Sequence, residues 1–451
     1  MSAKVGRLQI IAVLAATFAG SYYTNVVLVP VHAMTSYFHV NVGAGTLVIS
    51  GFAVGMAAFT PLASRISEWV GWTKALILAV TALGLGAVGV ALSASLIEVV
   101  IIRVLQGIVA AVILPSVMML LITTFSGTRR VIALGAWSSV NSLARIVSVP
   151  VSGVLTTIAG WRFVFWSGAF VCGVAVLALV VAAPRSSGRR TMTDWWGGAL
   201  LTVGAVLCIS GFAAIGAVSW GILAGMGMVG IGVVFLWRFW QRTRNAVHPF
   251  VHLESIRSPT FVRSCIGSFV QMICLMVDIA GVSLYLAHRG GVDSAKVGLI
   301  VLATPFTMTL ASPLSGWAIG RFGGWKMFWI GLMVLGIGEV AITLVTGLRE
   351  SVIAALVGVL ALAGSGMAIV QTASASGATR SEKQTEGMAV GVFNLVRFAG
   401  SAVGAAWIAL VLSFGGSYQL IFFTCAAMVF GGLFIATRLP TSITHRGYQV
   451  P

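Results

Sequence analysis

Charge is scarce in this chain. Only 8% of its 451 residues are Asp, Glu, Lys or Arg, about a third of the share in a soluble domain. A surface facing water on all sides is therefore excluded. Acids are rarer still, 10 against 27 basic residues. The five cysteines (Cys172, Cys208, Cys265, Cys274, Cys425) lie in apolar runs and form no C-x-x-C pair. That spacing excludes a disulfide framework or a zinc site, and they read as small packing residues. No P-loop is present, so the chain lacks the means to drive transport with ATP. Neither H-E-x-x-H nor a run of paired aspartates occurs, and the six histidines (His32, His39, His248, His252, His288, His445) fall near loops. Enzyme chemistry, a metal and a cofactor are not expected.

What fills the chain is apolar, at 59% hydrophobic residues and a mean hydropathy of +1.04. The apolar residues come in runs near the roughly 20 residues that cross a bilayer as a helix. Strict alternation is absent, which argues against a barrel. The runs predict an all-α membrane protein with fourteen spans, near 8–30, 44–63, 74–93, 97–121, 131–157, 162–183, 196–215, 220–240, 261–287, 296–319, 326–347, 351–372, 387–412 and 417–438. Lys4 and Arg7 before an apolar run resemble a signal peptide, but the run continues to about Pro30 with no A-x-A site, so an uncleaved first span is expected. With the N-terminus inside, 20 Lys and Arg fall on the cytoplasmic side and four (Arg162, Arg289, Lys296, Arg349) outside. This bias predicts a bacterial inner membrane protein with both termini in the cytoplasm. It explains the net charge of +17 without nucleic acid, through contact with anionic lipid headgroups. Trp69, Trp72, Trp161, Trp195, Trp196, Trp325 and Trp329 stand near span ends as candidate interfacial anchors.

Several stretches resemble the major facilitator superfamily, in particular its fourteen-span drug:proton antiporter branch. Arg103-Val-Leu-Gln106-Gly107 is similar to an R-x-x-Q-G signature in the fourth span. Pro150-Val-Ser-Gly153 resembles a G-P-x-x-G core in the fifth, and Gly160-Trp161-Arg162-Phe163 the entry to the sixth. Tyr285 to Pro305, and Glu386 through Asn394, Arg397, Gly400 and Gly404, resemble later family segments. The resemblance implies two six-helix bundles, residues 1–183 and 261–451, around a two-helix insert and linker at 184–260. It also implies inverted repeats, a midplane cavity and rocking between halves. The chain departs from the pattern where Ser21 and Ser64 replace expected aspartates, and where Arg145 and Val149 replace glycines.

Charges inside hydrocarbon cost about 2.5–3.5 kcal/mol each on insertion scales and must pair or face water. Arg103, Arg145, Arg397, Asp278 and Glu339 form this set. In the fifth span Ser138, Asn141, Arg145, Ser148 and Ser152 recur at three and four residues, one helical face. That face reads as a cavity wall or as a seam of small packing residues. Ser264, Ser268, Gln271, Asp278 and Tyr285 repeat the logic in the ninth span. Proton coupling is expected at Asp278, Glu339 and Arg103, each with a structural reading beside it. Arg103 could instead tie helices together through Ser21, Thr24 or Asn25. Asn25, Gln106, Asn141, Arg145, Ser148 and Gln271 are candidate substrate contacts; Arg65, Pro150, Gly153 and Arg397 are candidate gating residues. Tyr22, Tyr23, Trp137 and Phe269 are candidate apolar wall.

The leading expectation is a monomeric, proton-coupled exporter of amphipathic small molecules. The alternative is a carrier of an anionic or zwitterionic metabolite that uses the intramembrane arginines. A non-transporting receptor on the same scaffold is the remote third.

Overall fold

The structure is a computed structural model that describes residues 3–27, 30–40, 42–188, 194–215, 221–246, 249–251, 256–289, 294–348, 353–379 and 386–439. His248, His252, His445, Arg189, Arg190, Arg349, Arg380, Lys383 and Arg446, named or counted above, lie outside these residues. The described residues form helices joined by short connections: α1 (Ala3–Val26), α2 (Val31–Tyr37), α3 (Val42–Val70), α4 (Trp72–Leu92), α5 (Leu96–Ala110), α6 (Ile113–Thr124), α7 (Gly127–Ala159), α8 (Trp161–Ala182), α9 (Trp195–Ile215) and α10 (Gly221–Asn245). Then come α11 (Pro259–Met276), a π-helical turn (Val277–Gly281), α12 (Val282–Arg289), α13 (Ser294–Val301), α14 (Ala303–Phe322), α15 (Gly324–Gly347), α16 (Ile353–Ala378), α17 (Glu386–Ser413) and α18 (Tyr418–Arg438).

Among the described residues, thirteen spans, some built from two consecutive helices, are long and apolar enough to cross a membrane. The first expected span exists as α1, a 24-residue helix, whose outer half carries Ser21, Tyr22, Tyr23, Thr24 and Asn25. These residues turn toward neighbouring helices rather than lipid, which removes the need for an apolar surface. The fourth and tenth spans are each broken in two. Pro115 explains the first break and Pro305 the second: a proline clashes with the carbonyl four residues earlier. Those residues are Ala111 and Val301, where α5 and α13 give way. The short α2 was not legible in the hydropathy pattern.

Helices α1 and α3–α8 pack into one bundle, and α11–α18 into a second, each around its own apolar core. The bundles meet along two seams, α7 against α14 and α3 against α17, and α9 lies on both α3 and α17. Leu78, Leu85, Phe170, Leu177, Leu299 and Leu314 are among many large apolar residues left on the outside, as lipid contact requires. Trp195 and Trp196 are exposed at the start of α9, but Trp72 and Trp161 are buried. Trp161 is packed edge-on against Tyr37 and Phe165 rather than standing at the surface.

Close approach inside the first bundle depends on Gly107 of the R-x-x-Q-G stretch. A Cβ at this position would collide with the Phe52 carbonyl on α3. Gly107→Ala is therefore expected to destabilise the fold by about 1–3 kcal/mol through overpacking, seen as a lowered midpoint in thermal unfolding of the purified protein. Asp194, just before α9, accepts a hydrogen bond from Arg242 Nε of α10 at 2.6 Å. That bond holds the Asp194 carboxyl below its ordinary value and ties the two ends of the insert hairpin together.

Candidate functional site

The seams close tightly at the end of the molecule where α7 begins and α14 finishes. Arg65, Lys74, Arg129, Arg130, Arg321 and Lys326 stand near the helix ends on this side, the basic end. Ser138 and Ser312 share a hydrogen bond of 2.9 Å, and Ser139 donates to the Thr309 carbonyl at 2.6 Å. Gly135 and Gly316 let the two backbones touch: a Cβ on Gly135 would sit 2.7 Å from the Ser312 oxygen. On the other seam a Cβ on Gly391 of α17 would sit 2.6 Å from Ser64 Oγ. Asn394 donates to Met118 Sδ across the bundles at 3.6 Å. Ser64, which stands where the family pattern carries an aspartate, is fully buried in this contact. The seal is thus built from small residues in close contact, with no charge pair at Ser64. Arg65 beside it is engaged within its own helix, paired with Glu68 at 2.7 Å.

Beyond this seal the bundles leave a small, partly open chamber of about 40 Å³ between them. Its walls include Ser21, Thr24 and Asn25 of α1, Asn141 and Arg145 of α7, and Arg397 and Phe398 of α17. The α1 side is pre-set by local bonds. Ser21 donates to Asn141 Oδ1 at 3.1 Å, and Asn25 Nδ2 donates to the Ser21 carbonyl at 2.7 Å. Arg397 comes from the second bundle and lies over the Trp137 ring of the first, 5.4 Å from its centroid. It is 1% exposed, with Nε and Nη1 lacking any hydrogen-bond partner. Arg145, eight residues beyond Trp137 on α7, is half-buried. No acidic residue lines the chamber. Among the described residues the two salt bridges are Arg65–Glu68 and Arg242–Asp194, so neither chamber arginine is neutralised by a carboxylate.

Three of the candidate substrate contacts, Asn25, Asn141 and Arg145, line this chamber. Gln106 does not. It is buried inside the first bundle, where Nε2 donates to the Leu83 carbonyl at 3.1 Å and to Tyr23 Oη at 2.8 Å. Ser148 donates to the Arg145 carbonyl of its own helix. Gln271 is buried with both amide atoms unpartnered but is not part of the chamber wall. Arg103 is not held by Ser21, Thr24 or Asn25. Its Nε donates to the Val48 carbonyl at 3.1 Å, and its guanidinium lies over Phe52 at 4.2 Å and Tyr23 at 5.3 Å. Aromatic faces and a carbonyl satisfy it where the hydroxyls were expected to, because Ser21, Thr24 and Asn25 are committed to Asn141, the Gly20 carbonyl and the Ser21 carbonyl. Pro150 is exposed, and nothing lies within 4 Å of a Cβ placed on Gly153, so neither stands at a close seam. Of the expected apolar wall, Trp137 supports Arg397. Tyr22 bonds Ser167 at 2.8 Å, and Phe269 lies in an apolar groove between α11, α17 and α18.

The two intramembrane acids are elsewhere, together. Asp278 sits in the π-helical turn after α11, and Glu339 projects from α15 into the core of the second bundle; both are fully buried. All four of their carboxylate oxygens lack a hydrogen-bond partner. The two groups interact electrostatically. Cys274 of α11 and Cys425 of α18 bring their sulfurs within 4.8 Å of a Glu339 oxygen. Sequence spacing could not reveal this cluster, since its members come from three helices. A π-turn in a span, often found at functional sites, has no signature in the hydropathy pattern.

The Major Facilitator Superfamily family model matches residues 11–194. The chain is 24% identical to the drug efflux pump JefA of Mycobacterium tuberculosis over 90% of this chain and 80% of that protein. It is 25% identical to the tetracenomycin C resistance and export protein of Streptomyces glaucescens, over 69% of this chain and 58% of the longer relative. The multidrug resistance protein Stp of M. tuberculosis is 23% identical over 81% of this chain and 68% of its own length. The crystal structure of the human organic anion transporter MFSD10 shares the fold, with a TM-score of 0.71, 14% identity, and coverage of 96% of this chain and 99% of that one. Two packed helical bundles around a chamber, the family match over residues 11–194 and these relatives lead to one conclusion: the chain is a multi-pass membrane protein with the major facilitator fold, similar to transporters rather than enzymes.

Proposed function

We propose that the protein is a proton-coupled exporter of amphipathic small molecules that works by alternating access as a single chain in a bacterial inner membrane. The observation that carries the reading is a chamber between two bundles that is sealed at one end by small-residue contacts. Such contacts involve no interlocking of large side chains and can be made and broken as the bundles rock. The positive-inside bias supports assigning the sealed, basic end to the cytoplasm. In that orientation the chamber is closed toward the cytoplasm, as expected of a step that follows substrate loading. The names of the relatives, a resistance and export protein, a drug efflux pump and a multidrug resistance protein, support the outward direction.

Asp278 and Glu339 are the proposed proton site. Both carboxyls are buried without a hydrogen-bond partner, so a charge there has no counter-charge bonded to it. Gain or loss of that proton changes the charge inside the second bundle and so the packing of α11 against α15 and α18. Coupling to the chamber then runs through the helices, since no acid lines the chamber itself. Arg103 is assigned a structural role, bracing α5 against α3 and α1. In proteoliposomes with an imposed pH gradient, an amphipathic fluorescent dye is expected to accumulate only while the gradient lasts. Equal accumulation after an ionophore collapses the gradient would reject proton coupling.

A further inference from the structure

Arg145 and Arg397 come from opposite bundles and reach the same chamber. Their meeting has a consequence for what the chamber holds. Two guanidiniums near each other in a poorly hydrated space repel, and each has lost hydration. Arg397 is braced by Trp137 but retains two buried N–H groups with no acceptor. An unsatisfied buried donor of this kind costs free energy that an acceptor would recover. Among the described residues no carboxylate is in reach to supply one, and the two intramembrane acids are sequestered with Cys274 and Cys425. The rest of the chamber is mixed: Met56, Ile113, Leu114 and Phe398 offer apolar surface, and Asn25 and Asn141 offer amides.

We propose that Arg145 and Arg397 form an anion-binding clamp across the bundle interface, which selects amphipathic molecules bearing a carboxylate, sulfonate or comparable anionic group. A guanidinium presents paired N–H donors suited to two acceptor oxygens. The apolar body of the ligand lies against Phe398 and Leu114. Because the two arginines belong to different bundles, the anion also screens their repulsion and holds the bundles together around the load. An empty chamber lacks that bridge, so the clamp links occupancy to the relative position of the bundles.

This proposal rests on the reading of the chamber as the substrate site, and binding separates the two. The full chain in nanodiscs is titrated with 1-pyrenebutyrate and with 1-pyrenebutanol, which share an aromatic body and differ in charge; empty nanodiscs are subtracted. The wild type is expected to bind the carboxylate roughly tenfold or more tightly than the alcohol, the size of one charge-assisted hydrogen bond. Arg397→Gln and Arg145→Gln should each remove most of that preference, read as the ratio of the two affinities. Retained alcohol binding reports that the variants are folded, and the wild-type preference decides the matter if they are not. Equal binding of the two probes by the wild type, or tighter binding of a trimethylammonium analogue, overturns the clamp. A protein that prefers the anion but never moves it across a liposome membrane retains the clamp and rejects the transport reading. One that moves cationic dyes without charge preference does the reverse.

Discussion

Asp278→Asn is expected to cut pH-gradient-driven accumulation by about 5–150-fold, the span of ordinary coupling free energies, while gradient-independent exchange and ligand binding persist. The substitution is nearly isosteric and holds the group permanently neutral. The site is fully buried, with both carboxylate oxygens unpartnered, so the change breaks no hydrogen bond. Removing an uncompensated ionisable group from such a place should leave thermal stability equal or raised. Loss of coupling with retained stability is the signature of a proton carrier. Loss of both would mark Asp278 as a packing element, and loss of neither would mean that its proton never leaves. Glu339→Gln is the companion measurement. The two carboxylates share one environment with Cys274 and Cys425, and a pair that acts as a unit should show non-additive losses in the double variant.

Locking the basic-end seal is expected to have an equally large effect. Ser138 Oγ and Ser312 Oγ are 2.9 Å apart on facing helices, a separation that places paired cysteines within disulfide reach. In a background lacking the five native cysteines, the double variant Ser138→Cys/Ser312→Cys should cross-link under mild oxidation. Transport should then fall to the liposome background and return on reduction. A cross-linked protein that still turns over would show that the bundles do not part along α7 and α14. Gly391→Val tests the second seam by the opposite route. A side chain there meets Ser64 and Pro61, so the variant should resist closure and favour accessibility from the basic end.

How far the sequence revealed these features depends on whether the information was local. The positions of the thirteen apolar spans among the described residues followed from hydropathy, since each crossing must satisfy its own backbone within one segment. The outer half of α1 is polar because it turns toward neighbouring helices, including the chamber side. Helix breaks at Ala111 and Val301 were implicit in Pro115 and Pro305, but an apolar run conceals them. Arg145 was legible as a misfit in a stripe of small residues. Its relation to Arg397 was not, because the two lie on helices 252 positions apart in the chain. The same limit applies to Asp278: spacing correctly put it on the inner face of its helix but could not tell bundle core from shared chamber. Gln106 shares a face with Arg103, and only the packing of Tyr23 and α4 reveals that this face points into the first bundle.

The claim on which everything else depends is that the two bundles open alternately at opposite ends of one chamber. Spin-label distances measure it directly. One pair, Lys74→Cys/Lys326→Cys, spans the bundles at the basic end; another, Ala94→Cys/Leu348→Cys, spans them at the far end, and all four positions are exposed. Alternating access predicts that across the transport cycle the basic-end distance lengthens as the far-end distance shortens, with the two populations exchanging on shifting pH or adding ligand. Distances at both ends that stay fixed under every condition, or that lengthen together, would contradict it.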